Sequence, residues 1–280
     1  MKDIWISVSG AMAQQRNVET IANNVANANT PGFKKDQAIF KEHLTALEKG
    51  TDIDLPNKEW APQDFYRTYG AEKGFVKTVK NYTNYEQGQL TPTNNSMDLA
   101  LNGSGFFEVL GPNGIRYTRR GSLSVDATGR LVTQQGMPVL SKIDLPTTND
   151  QSELQAILQQ VPDPKERVIN IQNGPITVNQ AGEIYQAGAK VSDLSVVEFK
   201  ELELLQKEGN SLYINNSVEN IKRDGVKTAV YQGFEERSNV NAVEEMSNLI
   251  KAHRQFESLQ RVIKTYDSIA GKASNEIARF

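Results

Sequence analysis

The side chains of this sequence best suited to binding metals or transferring protons are two histidines, His43 and His253. His43 lies in a charged segment without neighbouring ligands, and His253 lies beside the apolar stripe of a predicted helix. The chain has no cysteine, so a zinc site would need several carboxylates at ligand spacing, and no such spacing is present. Both histidines are predicted to be ordinary surface or packing residues, and no metal or cofactor is expected.

A second candidate for chemistry is the serine of Gly103-Ser104-Gly105. Its immediate glycine neighbours do not match the G-x-S-x-G pattern of a nucleophile. The segment leads into Phe106-Phe107, which favours a strand, whereas a phosphate-binding loop opens a helix. A tight turn before a buried strand is the better interpretation. Asp98 fits the start of a strand, and Asp126 fits a turn. No catalytic constellation remains, so the protein is predicted not to be an enzyme.

The composition excludes further classes of protein. The chain has 280 residues, of which 38% are apolar and 23% are charged. A chain of this length and composition can bury a hydrophobic core. Its net charge of −3 argues against a general nucleic-acid binder, which needs concentrated positive charge. No apolar run approaches the length that crosses a bilayer, and the N-terminus lacks the features of a secretory signal. The absence of cysteine permits export into an oxidising compartment.

The first secondary-structure element that the sequence predicts is an N-terminal helix over residues 3–29. Its apolar seam alternates spacings of four and three residues, as in a coiled coil. The seam consists of Ile4, Val8, Ala11, Gln15, Val18, Ala22 and Val25. The helix is expected to stop within residues 27–32, because Pro31 has no amide proton to donate and Gly32 tolerates a turn.

A second long helix is predicted over residues 241–276. Asn241 can cap its first turn, with Glu244 in the place of a capping-box acid. The same spacing continues along Leu249, Ala252, Phe256, Leu259, Ile263, Tyr266 and Ala270. A flanking set of apolar side chains widens this stripe: Met246, Ile250, Val262 and Ile269.

Between the helices, short alternating runs separated by turn residues predict an antiparallel sandwich or a partly closed barrel. The strongest hairpin signal is Asn113-Gly114, between the runs 106–110 and 115–118, because both residues tolerate positive φ. Further strands are predicted at 131–133, 137–140, 176–178, 183–185 and 194–199. The predicted fold class is α+β, with N- and C-terminal helices forming a coiled-coil assembly domain and a central, mostly antiparallel β domain.

Two segments depart from this pattern. Residues 45–75 mix charge, glycine and aromatic residues without a clear period, which favours an extended connector. Residues 146–167 are predicted to be an insertion with one short helix from Ser152 to Gln160. The predicted division begins with an N-terminal assembly helix at 1–33 and a connector at 34–85. A β-rich outer domain at 86–235 and a C-terminal assembly helix at 236–280 follow.

The two helices are predicted to be an assembly device. A narrow seam suits a helical partner better than a sheet, and the C-terminal stripe is wider than one partner covers. The surplus apolar face implies further helices, which other subunits can supply. The competing interpretation is a monomer in which both helices pack on each other or on the β domain.

The residues behind this hypothesis also resemble a family, the flagellar basal-body rod and hook proteins of bacteria. Three blocks carry the resemblance and span nearly the whole chain. The N-terminal block comprises residues 9–12 and 21–34, including the asparagine-rich helix end from Ile21 to Lys34. The central block comprises residues 87–90, 94–101, 105–107 and 117–121, and the last comprises residues 233–241, 245–246 and 254–257.

The resemblance implies a rod subunit whose terminal helices pair and stack as the inner tube, with the β domain outside. It implies neighbouring rod subunits and the flagellar export apparatus as partners, no nucleic acid and no direct membrane insertion. The implied location is the periplasmic rod of the basal body, reached without a cleaved signal peptide. The charged tail from Tyr266 to Phe280 favours the proximal rod over the distal rod.

The helical stripes and the matched motifs together predict an assembly interface. Its residues are Ile4, Val8, Ala11, Val18, Ala22, Val25, Asn27, Asn29, Pro31, Phe33, Asn239, Asn241, Met246, Leu249, Phe256, Leu259, Ile263 and Tyr266. A distal-rod or hook-type subunit is the first alternative. A soluble monomeric binding module closed by its terminal helices is the second, and a carbohydrate-active or phosphate-handling enzyme is a distant third.

Overall fold

The computed structural model describes residues 3–45, 73–143, 162–172, 174–222 and 227–277. The chain forms two units. One, the helical unit, consists of Met1–Ala26, Asp36–Tyr82 and Asn241–Phe280. The other, the β domain, consists of Asn27–Lys35 and Thr83–Val240. The fold is α+β, as predicted, with a long helix near each end of the chain and mostly antiparallel strands between them.

The helices and strands follow the chain in a simple order. Helix α1 spans Asp3–Ala26, and helix α2 spans Ala242–Ile277. The strands between them are β1 (Asp36–Thr45), β2 (Lys73–Thr83), β3 (Leu90–Pro92), β4 (Leu99–Asn102), β5 (Phe106–Gly111), β6 (Gly114–Thr118), β7 (Leu123–Val125), β8 (Leu131–Thr133), β9 (Ile176–Val178), β10 (Glu183–Gln186), β11 (Ala189–Asp193), β12 (Val196–Val197), β13 (Gln206–Gly209), β14 (Leu212–Ile214), β15 (Ala229–Gln232) and β16 (Phe234–Glu236).

Helix α1 ends at Ala26 rather than at residue 29, because the asparagine-rich segment after it forms turns. Thr30 N–H donates to the Asn27 carbonyl at 3.1 Å, and Phe33 N–H donates to the Thr30 carbonyl at 3.3 Å. Asn and Thr side chains offer the backbone local hydrogen bonds that compete with a helix. Gly32 then turns the chain with φ +65°, and a Cβ at this position would lie 2.8 Å from the Arg119 backbone.

Helix α2 begins as predicted, with Asn241 as its cap. The Asn241 side-chain oxygen accepts hydrogen bonds from Val243 N–H at 3.1 Å and from Glu244 N–H at 3.3 Å. These are donors that the first turn of a helix cannot satisfy internally. In the same unit, β1 and β2 pair as a two-stranded sheet at the two ends of the predicted connector. Residues 46–72 of that connector lie outside the described residues.

The β domain is built on a five-stranded antiparallel sheet in the order β12-β5-β6-β14-β13. The domain also contains a three-stranded sheet, β11-β10-β9, and the pairs β15-β4, β16-β3 and β7-β8. The predicted β5–β6 hairpin is confirmed, but its turn residues are Pro112 and Asn113, between Gly111 and Gly114, which pair with each other. Proline fixes φ for the first turn position, so the turn begins one residue before the Asn-Gly pair.

Two predicted strands are shorter in the structure. Residues 137–140 form only isolated bridges, from Pro138 to Val132, from Val139 to Val109 and from Leu140 to Val168. Pro138 has no amide proton, so a continuous ladder cannot pass through it. The predicted strand at 194–199 is reduced to Val196–Val197, with bridges at its ends.

The domain has one large aliphatic core and one aromatic cluster. The aliphatic core joins residues from most strands, among them Leu101, Val109, Leu131 and Ile184, which are fully buried. The aromatic cluster consists of Phe106, Tyr117, Phe199, Leu205 and Tyr213. Its rings pack edge to face, with the Tyr117 and Phe199 centroids 4.9 Å apart at 89°. Edge-to-face contacts stabilise the cluster beyond its burial alone.

The predicted insertion lies mainly in residues 144–161, outside the described residues, as does its predicted helix from Ser152 to Gln160. The described chain on either side of it is tied together inside the β domain. Ser141 N–H donates to the Arg167 carbonyl at 2.8 Å. The Arg167 guanidinium pairs with the buried Glu108 carboxylate, which also accepts a hydrogen bond from Ser195 Oγ at 2.6 Å.

Candidate assembly interface

In the helical unit, α1 and α2 pack side by side in opposite directions. Gln14 Nε2 donates to the Ala252 carbonyl at 3.2 Å and to Gln255 Oε1 at 3.1 Å. Nearer the end of α1, Asn24 Nδ2 donates to Glu245 Oε2 at 3.3 Å. Contacts therefore move toward the start of α2 as they move toward the end of α1, which defines an antiparallel pair.

Asn24 holds α1 to two elements at once. Its side chain is 1% exposed, and its oxygen accepts a hydrogen bond from Asp36 N–H at 2.9 Å while Nδ2 donates to the Asp36 carbonyl at 2.7 Å. The bond to Glu245 completes the set. A buried amide of this kind is stable only when its donors and acceptor are satisfied, as they are here.

The face of α1 with these contacts differs from the predicted seam. The buried residues on it are Ala13, Thr20, Ile21 and Asn24. At 3.6 residues per turn, this face is rotated by about two fifths of a turn from the seam. On the seam, Ala11 is buried, Ala22 is exposed, and three valines are half-buried: Val8, Val18 and Val25. Ile4 lies in α1, but its side chain is outside the description.

On α2, most of the predicted stripe lies on the side that packs against α1. Ala252 is buried, and Leu249, Phe256, Leu259 and Ile263 are half-buried. The flanking side chains Met246, Ile250 (56% exposed), Val262 and Ile269 (58%) are exposed instead, as is Val243 (71%). Tyr266 and Ala270, the last two residues of the predicted stripe, are exposed as well.

The predicted interface residues at the helix ends lie mainly in the β domain. Asn27 and Pro31 are half-buried, Asn29 is exposed and Phe33 is buried. The Lys207 ammonium lies over the Phe33 ring, 4.2 Å from the centroid of that ring. Asn239 accepts a hydrogen bond from Lys35 N–H at 2.8 Å and donates to the Asn84 carbonyl at 2.9 Å, whereas Asn241 caps α2.

Sequence reasoning missed a buried ionic group beside this segment. Lys34 Nζ lies 2.7 Å from Glu236 Oε1, and Arg119 Nη1 lies 3.5 Å from Glu236 Oε2. All three side chains are almost completely buried. Burial lowers the pKa of both Lys34 and Arg119, and the Glu236 charge opposes the shift in each case. Each of the three residues lies inside a motif that carried the family resemblance, which is the signal that could have singled them out.

The described residues contain no cluster of three or more side chains that could hold a metal ion. Neither α1 nor α2, as described, has a stretch long and apolar enough to span a bilayer.

Comparisons with known protein families match three parts of the chain. Residues 4–34 match the family described as flagella basal body rod protein. Residues 100–186 match the flagellar hook protein FlgE/F/G D1 domain. Residues 231–276 match the flagellar basal body rod FlgEFG protein C-terminal family. The first and last matches cover most of α1 and α2, and the second lies in the β domain.

Individual relatives align over almost the full length. The chain is 32% identical to the flagellar basal-body rod protein FlgG of Buchnera aphidicola subsp. Schizaphis graminum, over 97% of this chain and 98% of the relative. It is 32% identical to FlgG of Borreliella burgdorferi, over 98% of both chains. It is 29% identical to the rod protein FlgF of Caulobacter vibrioides, over 99% of this chain and 98% of the relative.

These relatives are structural rod proteins and not enzymes, in agreement with the prediction from the sequence. Membership also implies assembly with other rod and hook components. The two paired terminal helices, the β domain between them and the full-length matches together identify this chain as a member of the flagellar basal-body rod protein family.

Proposed function

We propose that this protein is a subunit of the proximal rod, which polymerises through α1 and α2 with copies of itself and related rod proteins to form part of the motor drive shaft. The observation that carries the proposal is the apolar surface that the helix pair leaves uncovered on α2. Exposed apolar side chains on one helix gain burial when further helices pack against it.

The uncovered surface has two parts. Val243, Met246 and Ile250 lie along one flank of α2 near its start, and Val262, Tyr266 and Ile269 lie along another flank near its end. On α1, Met12 and Ala22 are exposed. A helix pair with apolar side chains on more than one flank suits a bundle with several neighbours, as the wall of a tube requires.

Ile250→Asp tests this assembly. Because Ile250 is exposed in the single chain, the substitution should leave the helix content and the unfolding temperature near their wild-type values. In a packed wall it would bury an unpaired carboxylate, so polymers and motility should be lost. Lys251→Asp is the matched control on the next residue, which is also exposed. Equal assembly of both variants would contradict the proposal.

The proximal position is supported by the charged tail from Tyr266 to Phe280. The second candidate is a distal-rod subunit, which the 32% identities to FlgG favour over the 29% identity to FlgF. Labelling this chain in micrographs of purified basal bodies tests the choice. A proximal subunit should be labelled at the base of the rod, and its gene should restore motility to a strain lacking FlgF but not to one lacking FlgG.

We further propose that the chain leaves the cell through the flagellar export apparatus, resides in the periplasmic rod and does not insert into the membrane. Membership of the rod family supports this route. In a strain without a working flagellar export apparatus, the protein should stay in the cytoplasmic fraction. Export by the general secretory route would place it in the periplasm of the same strain and would contradict the proposal.

A further inference from the structure

Three stretches of chain enter the β domain from the elements of the helical unit, and they meet at one point. The first, residues 27–35, follows α1. The second, residues 83–88, begins at the last residue of β2, and the third, residues 236–240, precedes α2. We call them the first, second and third connections. They are far apart in sequence, yet hydrogen bonds join all three inside the β domain.

Backbone hydrogen bonds join the connections in pairs. Gly32 N–H of the first donates to the Glu236 carbonyl of the third at 2.8 Å. Asn84 N–H of the second donates to the Lys35 carbonyl of the first at 2.8 Å. The Asn239 side chain bonds to both other connections, as described above. Each connection is therefore tied to the other two.

At the centre of this arrangement one carboxylate serves all three connections. Glu236 Oε1 accepts from Lys34 Nζ of the first connection and from Gly88 N–H of the second at 2.9 Å. Lys34 Nζ also donates to the Glu86 carbonyl at 2.6 Å. Arg119, at the end of β6, approaches Glu236 Oε2 and donates to the Gly103 carbonyl at 2.6 Å.

The charges at this site are unequal. Lys34 and Arg119 are two buried cations, and among the described residues Glu236 is the one carboxylate within ion-pair distance of either. Removing one partner of a buried pair leaves an uncompensated charge, which costs far more than the pair contributes. Loss of Glu236 would leave two such cations, whereas loss of Lys34 would leave the neutral pair of Arg119 and Glu236.

We propose that Glu236 is the hub of a three-way clamp, and that the first connection can dock on the β domain only when the third is already in place. Lys34 enters the interior as a cation, and Glu236 supplies the charge that makes its burial possible. Docking of the segment after α1 is thereby made conditional on the segment before α2. Every contact in the clamp lies within one chain, so the clamp does not depend on polymerisation.

Amide hydrogen exchange of the full chain, resolved over residues 27–35 and 83–88, tests the clamp. Glu236→Gln should speed exchange in both segments by about a hundredfold or more, because two cations lose their partner. Lys34→Met should speed exchange in these segments by only about tenfold, because Arg119 still has Glu236 as its ion-pair partner. The double variant that combines Glu236→Gln with Lys34→Met should exchange these amides more slowly than Glu236→Gln alone, because it lacks one of the two unpaired cations.

Arg167→Met is the matched control, because it breaks another buried ion pair of the same domain, with Glu108, away from the connections. It should lower the stability of the domain without selective exchange in residues 27–35. If Glu236→Gln fails to fold, a folded double variant supports the clamp. Wild-type exchange of residues 27–35 in Lys34→Met, or a double variant worse than Glu236→Gln, would overturn it.

Discussion

Tyr117 links the aromatic cluster of the β domain to its buried charges. Burial raises the pKa of the Tyr117 hydroxyl well above its usual range, and the nearby Glu108 charge raises it further. Because the folded-state pKa is raised, the protonated tyrosine contributes stability below the unfolded value of 10.0, and this stability is lost as pH rises above it.

The wild-type free energy of unfolding should therefore fall more steeply above pH 10 than that of Tyr117→Phe. Urea titrations of both proteins from pH 8 to about 11 measure the difference. Tyr82→Phe is the control, because Tyr82 is exposed on β2. Parallel curves for the wild type and Tyr117→Phe would exclude Tyr117 as a source of alkaline sensitivity.

Gly121 marks a place where two backbone segments touch. A Cβ at this position would lie 1.5 Å from the Leu99 carbonyl oxygen, and that carbonyl belongs to β4, not to a movable side chain. Gly121→Ala should destabilise the β domain by about 3 kcal/mol or more, measured by urea unfolding.

Gly136→Ala provides the comparison for Gly121→Ala, since no atom beyond the neighbouring residues lies within 4 Å of the added Cβ. Gly136 has φ +77°, so its substitution should cost about 1 kcal/mol through the backbone alone. Equal costs at the two positions would show that the contact with Leu99 relaxes easily.

Much of the clamp could not be predicted at the level of single residues. Lysine, arginine and glutamate are almost never fully buried unless paired, so Lys34, Arg119 and Glu236 give no individual signal of burial. Their pairing depends on contacts between residues more than eighty positions apart, which local spacing does not encode. The cap at Asn241 was predictable because its hydrogen bonds reach only three residues along the chain.

Among the elements, the stripe of α2 was predicted better than the seam of α1. Large side chains at Phe256, Leu259 and Ile263 leave little choice of buried face. Helix α1 instead packs through small and polar residues such as Ala13 and Asn24, whose burial depends on the partners that α2 and β1 supply. The seam with Val18 and Ala22 is then only partly covered in the single chain.

Val18→Asp should therefore block polymerisation and motility while the β domain stays folded. The half-buried valine lies in the helical unit, so the carboxylate does not enter the core of the β domain. Arg16→Asp introduces the same residue at an exposed position outside the seam and should assemble. Electron microscopy of assembled rods and near-ultraviolet circular dichroism of the monomer check both halves of the prediction. Unimpaired motility in Val18→Asp would refute it.

Helix α2 is longer than the helix that packs against it. Extending the antiparallel register places Asp3 of α1 level with about residue 266 of α2 at 1.5 Å per residue, so the final turns of α2 run past α1. Residues 267–277 should exchange amide protons faster than residues 245–263 in the isolated chain, and assembly should slow this exchange. Uniform protection along α2 in a proven monomer would contradict the prediction.

For the whole molecule, the border between the two units decides where a truncation can be made. Deleting residues 1–26 removes α1 but keeps Gly32, Phe33 and Lys34, so the β domain should stay folded and polymerisation should be lost. Deleting residues 1–35 also removes the Lys34 cation and the bond from Gly32, so it should lower the unfolding temperature as well. A monomeric module closed by its helices would lose stability with the shorter deletion.

The three connections also determine how the molecule responds to a break in its backbone. A single proteolytic nick between β1 and β2 would leave the fragment with α1 and residues 27–35 bound to the remainder through the contacts with α2 and Glu236. The nicked protein should run as two bands after denaturation and as one species on a native gel. Covalent continuity between the two fragments should thus be dispensable once the protein has folded.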